Sequence, residues 1–363
     1  MSPRNGRGMP DTDIRPARTA EEVERTAVAA GRAFDDVPEA EFRRRIVDAP
    51  ALPIENTLLG FDGDELVTSL QLYERQCWLH GAPVPVAGVG NVQTAPDRRG
   101  EGHASALLDH ARTVAVEKGY PLVALVGDPT FYARLGWHPL DTAATLVGNP
   151  EPVADGEGGT RGRWKPFDAT DPHAVDALAA VHRAERRGVD GALNRYPALW
   201  HDWVFEVLVA PTDVLWYYEG EARTGYLVRK RSHDEVVCLE AGYRGEDRRS
   251  FLTAAWNRLC ATPTDGDERD ADAPTAAVTD DPSSDPPARV RWDPPLDTLA
   301  AVLDDAGHDR RTETVRERTG ETPMVWADAD LLAAATGGAF DDAATVADRM
   351  VGAERWFPAL DKF

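Results

Sequence analysis

"TAPDRRGEGHASALLDHA", residues 94–111, changes character twice within eighteen residues. An extended stretch ends at Thr94-Ala95-Pro96, a charged turn carries Gly100 and Gly102, and an amphipathic helix opens at once. Ala104, Leu107, Leu108, Ala111, Val114 and Ala115 recur in that helix at helical spacing. Lys118 and Gly119 close it with a cation in the last turn and a C-cap glycine. A strand that passes through a glycine turn into a helix aims several unpaired backbone N–H groups and the positive helix end at one point, which suits phosphate. Glycine lets the backbone approach closely, and Arg98 and Arg99 add charge. A plain strand-to-helix turn has the same appearance, so the two readings stand side by side. A dinucleotide fold is a poor match, because a meander precedes the turn and the third glycine of G-x-G-x-x-G is missing. No Gly-Lys-Ser/Thr follows for a Walker loop either.

Working outward, residues 1–13 are polar and rich in Gly and Pro, and read as a loose tail. "TAEEVERTAVAAGRAF" reads as a first helix with Thr19 as N-cap and Glu22 placed for a capping box. The stretch from Asn56 to Pro96 reads as three or four antiparallel strands, with turns at Asp62-Gly63 and Gly81-Ala82. Beyond the central helix, "PLVALVG" is a short buried strand, and "DPTFYARLGWHPL" is a helical turn ending at Gly136 before another strand. Domains are expected at 14–150 and 163–328, joined by a linker at 151–162. The second repeats the order of the first, but no glycine-rich turn follows "CLEAGY". Residues 263–287 are acidic, Pro-rich and poor in large apolar side chains, and read as a disordered insertion. Residues 329–363 form a helical segment ending in "RWFPALDKF".

A chain of 363 residues calls for two or three domains. Its formal charge of −22 argues against nucleic acid or an anionic membrane as a partner. Positive charge is nearly all arginine, since lysine stands only at Lys118, Lys165, Lys230 and Lys362, and this composition resembles that of proteins from salt-accumulating microbes such as the haloarchaea. Most carboxylates then serve solvation. Cys77, Cys238 and Cys260 have no metal or disulfide spacing, and His80, His103 and His110 no metal-site pairing, so no metal is expected. No signal-peptide or membrane-spanning apolar run occurs, which places the chain in the cytoplasm.

"VGNVQTAPDRRGEGHASALL" resembles the central motif of the GCN5-related N-acetyltransferase (GNAT) superfamily, Gln/Arg-x-x-Gly-x-Gly/Ala at the head of the long helix. Gly100 and Gly102 match, and Asp97 departs from the usual Gln/Arg. "DPTFYARLGW" resembles the family's later Phe-Tyr-x-x-x-Gly-aromatic motif, and together the two cover about 130 residues from Ile14. The length, the degenerate second copy and the aromatic C-terminus are similar to the multidomain branch of the enhanced-intracellular-survival (Eis) proteins. The resemblance implies an α/β (α+β) fold of tandem GNAT-like domains with mixed, mostly antiparallel sheets flanked by helices. It also implies a short or reduced sterol-carrier-like C-terminal segment, and a hexamer.

The same resemblance implies an acetyl-CoA-dependent N-acetyltransferase that passes acetyl to a primary amine, a small molecule or a lysine side chain, by direct attack in a ternary complex. Val92, Gln93 and Thr94 would face the thioester and pantetheine, and Arg98, Arg99, Gly100, Glu101, Gly102, His103 and Ala104 the pyrophosphate. Tyr132 corresponds to the general acid, a core or substrate-stacking tyrosine being the alternative, while Phe131 and Trp137 read as packing residues. The terminal carboxylate of Phe363 corresponds to the general base. The competing functions are a non-catalytic coenzyme A or acyl-CoA binding regulator, or a scaffold.

Overall fold

The computed structural model describes residues 12–34, 37–48, 52–140, 144–154, 162–168, 170–208, 213–232, 234–261, 287–293, 297–314, 320–340 and 342–350. It is an α+β structure of two mixed seven-stranded sheets flanked by helices. The expected insertion at 263–287 lies outside the described residues except at its last position, and Phe363 lies outside them entirely.

The first sheet begins with β1 (Asp13–Pro16), β2 (Thr57–Asp62), β3 (Glu65–Leu79) and β4 (Ala82–Thr94), a continuous antiparallel meander. The β3–β4 hairpin turns at His80-Gly81, where φ is 51° and 75°, one residue before the expected Gly81-Ala82. A turn with two left-handed residues matches the twist of the strands it joins, which sets the register Leu79↔Ala82. Helix α1 (Ala20–Ala33) starts at Thr19, whose hydroxyl accepts from Glu22 N–H at 3.2 Å. The other half of the expected capping box is absent. The Glu22 carboxylate instead takes Arg18 N–H at 2.7 Å and the Arg15 guanidinium, because the strand entering the helix brings that cation closer than the cap's own N–H. The helix lays Val23, Ala27 and Ala30 on Leu59 and Phe61 of β2. A short helix α2 (Glu39–Phe42) runs on into a wide turn, Arg43–Val47, and adds Phe42 and Ile46 to the same cluster.

On the opposite face lies α3 (His103–Glu117), with Leu107, Leu108, Ala111 and Ala115 against Leu70, Leu72 and Val89. It ends as its sequence implies. Gly119, at φ +82°, sends its N–H to Val116 O, and Tyr120 N–H bonds Ala115 O, both at 2.9 Å. The chain returns through β5 (Leu122–Gly127), parallel to β4, then α4 (Pro129–Tyr132) and the two-residue β6 (His138–Pro139).

Each stretch of sequence now lends the other a strand. β7 (Ala144–Gly148) lies in the second sheet, between β12 (Arg289–Trp292) and β13 (Arg310–Thr314). β14 (Thr322–Ala327) lies in the first, antiparallel to both β5 and β6. The remaining strands of the second sheet are β8 (Gly162–Pro166), β9 (Val214–Glu219), β10 (Ala222–Arg231) and β11 (Glu235–Tyr243). Both faces of β14 are covered: Met324 packs in the cluster under α3, and Val325 packs with Leu122, Ala124 and Leu332 on the other side. The free edge of the β3–β4 hairpin is closed by residues 191–194, through Gly191 N–H to Trp78 O, Trp78 N–H to Ala192 O and Asn194 N–H to Gln76 O.

Truncating Met324 to Ala removes a fully buried side chain from a strand held on both edges. The expected loss is about 2–5 kcal/mol of stability, read as a lower denaturation midpoint with unchanged slope in urea melts.

Candidate active site

β4 and β5 pair only from Val86↔Leu122 to Gly88↔Ala124, and beyond that point the strands part. The cause is local to β4. Its register against β3 slips between Ser69↔Gln93 and Gln71↔Gly90, so that one residue of β3 faces two of β4, and Asn91 takes φ +49°. Asn91 Nδ2 donates to Tyr73 Oη at 2.8 Å, which holds the bulge in place. The opening is a cavity of about 1090 Å³. Backbone groups on the side of Val92–Thr94 released by β5 face it, as an edge left without a partner strand does.

One end of the cavity is the glycine turn. Gly100 and Gly102 have φ of +81° and +98°, and Gly102 is itself the residue preceding α3. It has no side chain to cap the helix, so the N–H groups of His103, Ala104 and Ser105 point outward without acceptors among the described residues. Three backbone donors and a helix end therefore converge where the turn, Arg99, His103, Ala104 and Ser105 line the wall.

The expected site residues divide here. Val92, Gln93, Thr94, Arg98, Arg99, Gly100, Gly102, His103, Ala104 and Tyr132 all line this one cavity, whereas Glu101 does not. Arg98 differs from its expected use. Its guanidinium is surrounded by Asp62, by Glu65 at 3.0 Å and by Glu101 at 3.1 Å, because the acidic β2–β3 turn lies beside it, and its charge is spent on those carboxylates. Arg99 lies over the turn with Nη2 donating to Ala33 O at 2.6 Å. The buried His103 ring bridges Thr12 Oγ1 at 2.8 Å and Glu101 Oε2 at 3.1 Å, and so pins the turn from behind.

Tyr132 stands at the other side of the parting. Asp128 caps its short helix by accepting Thr130 N–H at 2.8 Å, and Gly136, at φ +82°, ends it. The ring lies flat on β5: a Cβ at Gly127 would come within 2.3 Å of Tyr132 Cε2, so this strand position must be glycine. Phe131 meets the ring edge-on at 4.9 Å and Trp137 at 6.2 Å. Burial, with the charges of Glu321 and Asp128 adding to it, pushes the phenol up to about 12. A phenol so placed stays protonated and can give a proton. Glu321 and Arg134 also line the cavity, as does a wall of Ala33, Phe34, Val37, Phe42 and Arg45 from the α1–α2 layer. None of these seven was singled out in sequence; Glu321 in particular reaches the site only through the exchanged strand.

The corresponding place in the second sheet is closed. After β11 the chain enters the helix Arg248–Cys260 through Asp247, whose carboxylate accepts Ser250 N–H at 3.0 Å and Ser250 Oγ–H at 2.7 Å. A carboxylate thus sits at the helix end where a phosphate would have to bind. Among the described residues no group of three or more His, Cys, Asp or Glu is placed to hold a metal ion, and no helix is long and apolar enough to cross a membrane.

Residues 13–140 match the profile of the acetyltransferase (GNAT) domain family. No curated protein sequence shows significant similarity to this chain. Among solved structures, a GCN5-related N-acetyltransferase from Anabaena variabilis is similar over 87% of this chain and 72% of its own, at 15% identity and a TM-score of 0.63. Eis1 from Mycobacterium abscessus is similar over 86% of this chain and 73% of its own, at 18% identity and a TM-score of 0.58. A tandem GNAT protein from the clavulanic acid biosynthesis pathway is covered over 98% of its length by 87% of this chain, at 15% identity and a TM-score of 0.50.

Replacing Gly102 by Val puts a branched side chain at φ +98°, directly over the converging N–H groups. Affinity for coenzyme A is expected to fall more than about tenfold with the fold retained; calorimetry beside a circular dichroism melt checks both halves.

Proposed function

We propose that this protein, whose residues 13–140 match the acetyltransferase (GNAT) domain family, is an acetyl-CoA-dependent N-acetyltransferase with a single working site, the parting of β4 and β5. The observation that carries the reading is the joint placement of the uncapped glycine turn and the protonated Tyr132 on one cavity. A pyrophosphate fits the turn by its donor set: backbone N–H groups from Gly102 to Ser105, helped by Arg99 and the helix end, with Arg98 acting as a brace for the turn. Acetyl-CoA supplies the activated acyl group.

The chain's own residues then have three tasks. The released edge at Val92–Thr94 offers backbone N–H groups to the thioester carbonyl, where charge develops as the amine nitrogen attacks. Tyr132 Oη–H gives its proton to the sulfur as the C–S bond breaks, and a thiolate whose conjugate acid is near 8–9 leaves as a thiol. The amine arrives as an ammonium and must lose a proton first. We assign this to the terminal carboxylate of Phe363, which lies outside the described residues. The acidic surface repels polyanions in bulk, yet the cavity wall carries Arg45, Arg99 and Arg134 besides the carboxylate-bound Arg98, against Asp128 and Glu321, a local reversal of sign that favours an anionic co-substrate.

Tyr132→Phe is expected to keep coenzyme A affinity and lower kcat by roughly 10² to 10⁴. The pH profile gives a sharper test. With the phenol pushed up to about 12 by burial first, the proton donor is intact throughout the neutral range, so no alkaline loss of kcat from Tyr132 is expected until pH approaches that value. An alkaline limb in the wild type near 9 that vanishes in Tyr132→Phe would contradict the assignment.

Adding one glycine after Phe363 keeps the ring and moves the carboxylate by about 3.5 Å. Single-turnover rates are expected to fall further in this extended chain than in Phe363→Leu, which retains the carboxylate, with similar melting temperatures in both. Equal rates in native and extended chains would remove the terminal carboxylate from the mechanism.

A further inference from the structure

The two carboxylates of the cavity wall stand together at the Tyr132 end, because Thr322 pairs with Gly127 and so sets Glu321 across from Asp128. Arg134, at the same end, lies over the Phe131 ring and donates to Thr130 O. Asp128 is committed to the α4 cap, and Glu321 is exposed at the cavity wall. Past the β4 bulge, the helical layer brings Phe34, Val37, Phe42 and a single charge, Arg45.

That charge shares its counter-ion with a second cation. Arg45 Nε and Nη2 contact Glu41 at 2.9 and 2.7 Å, but Arg44 Nη2 bonds both oxygens of the same carboxylate at 2.8 Å. Two guanidinium groups thus share one carboxylate, and neither Arg45 contact uses Nη1. Beneath lies Tyr73, the partner of Asn91 at the bulge. The Arg75 guanidinium from β3 is 5.4 Å from the Tyr73 ring and 4.9 Å from the ring of Trp203, which the second domain packs on Tyr73. The charged groups that act on the Tyr73 phenol are Arg75 and Arg45, both cations.

We propose, building on the acetyltransferase reading above, that the acceptor is a small primary amine that carries a carboxylate at the far end of a short chain, an ω-amino acid or the side-chain amine of lysine, held with its amine toward Tyr132 and Glu321 and its carboxylate toward Arg45. The carboxylate gains a charge-assisted hydrogen bond to a guanidinium whose own counter-ion is shared. A polyamine or an aminoglycoside in the same place would set its second cation against Arg45, and like charges so juxtaposed oppose binding. The apolar side chains between the two ends receive the body of the acceptor.

The test is acetyl-CoA consumption on matched pairs that differ only by the carboxylate, 5-aminopentanoate with pentylamine and lysine with cadaverine, beside spermidine and an aminoglycoside. Coenzyme A binding is measured separately by calorimetry. The carboxylate member of each pair is expected to have the higher kcat/KM by roughly ten- to a hundredfold, mostly through KM. Arg45→Gln is expected to bring that ratio toward one and Arg45→Lys to restore part of it. Equal use of the pair members, preference for spermidine or the aminoglycoside, a ratio that survives Arg45→Gln, or coenzyme A binding with no acceptor consumed each overturns the proposal while leaving the cofactor site standing. Failure to bind coenzyme A overturns both.

Discussion

Everything about the site depends on β14 filling the place between β5 and β6. β6 is two residues long and cannot hold the edge of β5 alone, and β5 has already lost β4 beyond Gly88↔Ala124. Six backbone pairs from Thr322↔Gly127 to Ala327↔Leu122 give β5 a full partner on its other edge, so the parting of β4 and β5 leaves a cavity instead of a frayed strand. The same six pairs carry Glu321 to Asp128 and Tyr132. β7 makes the reverse journey and lies between β12 and β13, so that neither sheet is complete without a strand drawn from the other's stretch of sequence.

The second sheet contributes no open turn but does contribute rigidity. Glu240, fully buried, accepts from Tyr226 Oη–H, lies 3.0 Å from His182 Nδ1 and pairs with Arg195 at 2.8 Å. Burial by itself would raise its carboxyl, but the Arg195 and His182 partners hold it well below the usual carboxylate range. Such a group is costly to strand, since removing one partner of a buried pair typically costs about 3–5 kcal/mol. It anchors Arg195 and, through His182 Nε2 and Leu193 O at 3.0 Å, the segment that docks on β3. Trp203 reaches Tyr73 from the same domain, so the degenerate copy shapes the floor near the bulge while Asp247 keeps its own helix end closed.

Charge illustrates how composition and site can point in opposite directions. A chain at −22 has carboxylates to spare, and three of them gather on Arg98, which the motif alone would send to phosphate. The turn keeps its attraction for an anion because backbone N–H groups cannot be neutralised by a passing carboxylate as a side chain can. Asp97 in place of the family's Gln/Arg is consistent with a turn that works through its backbone.

The sequence by itself determined the local events: the glycine turn and the helix it opens, the Thr19 cap, the Gly119 ending, the antiparallel strands between Asn56 and the turn, and Tyr132 on its short helix. Each is governed by residues within a few positions of one another, where φ preferences, capping and periodicity act. It also showed that the second copy lacks the turn. Tertiary structure decided the rest. Strand exchange is invisible to a linear reading because β7 and β14 are short, largely apolar strands whose residues would be buried in whichever sheet received them. The capture of Arg98 by Asp62 and Glu65, the opposition of Glu321 to Asp128, and the sharing of Glu41 by Arg44 and Arg45 at the cavity wall follow from which surfaces pack together. Charges act through space, and only the fold determines which of them become neighbours.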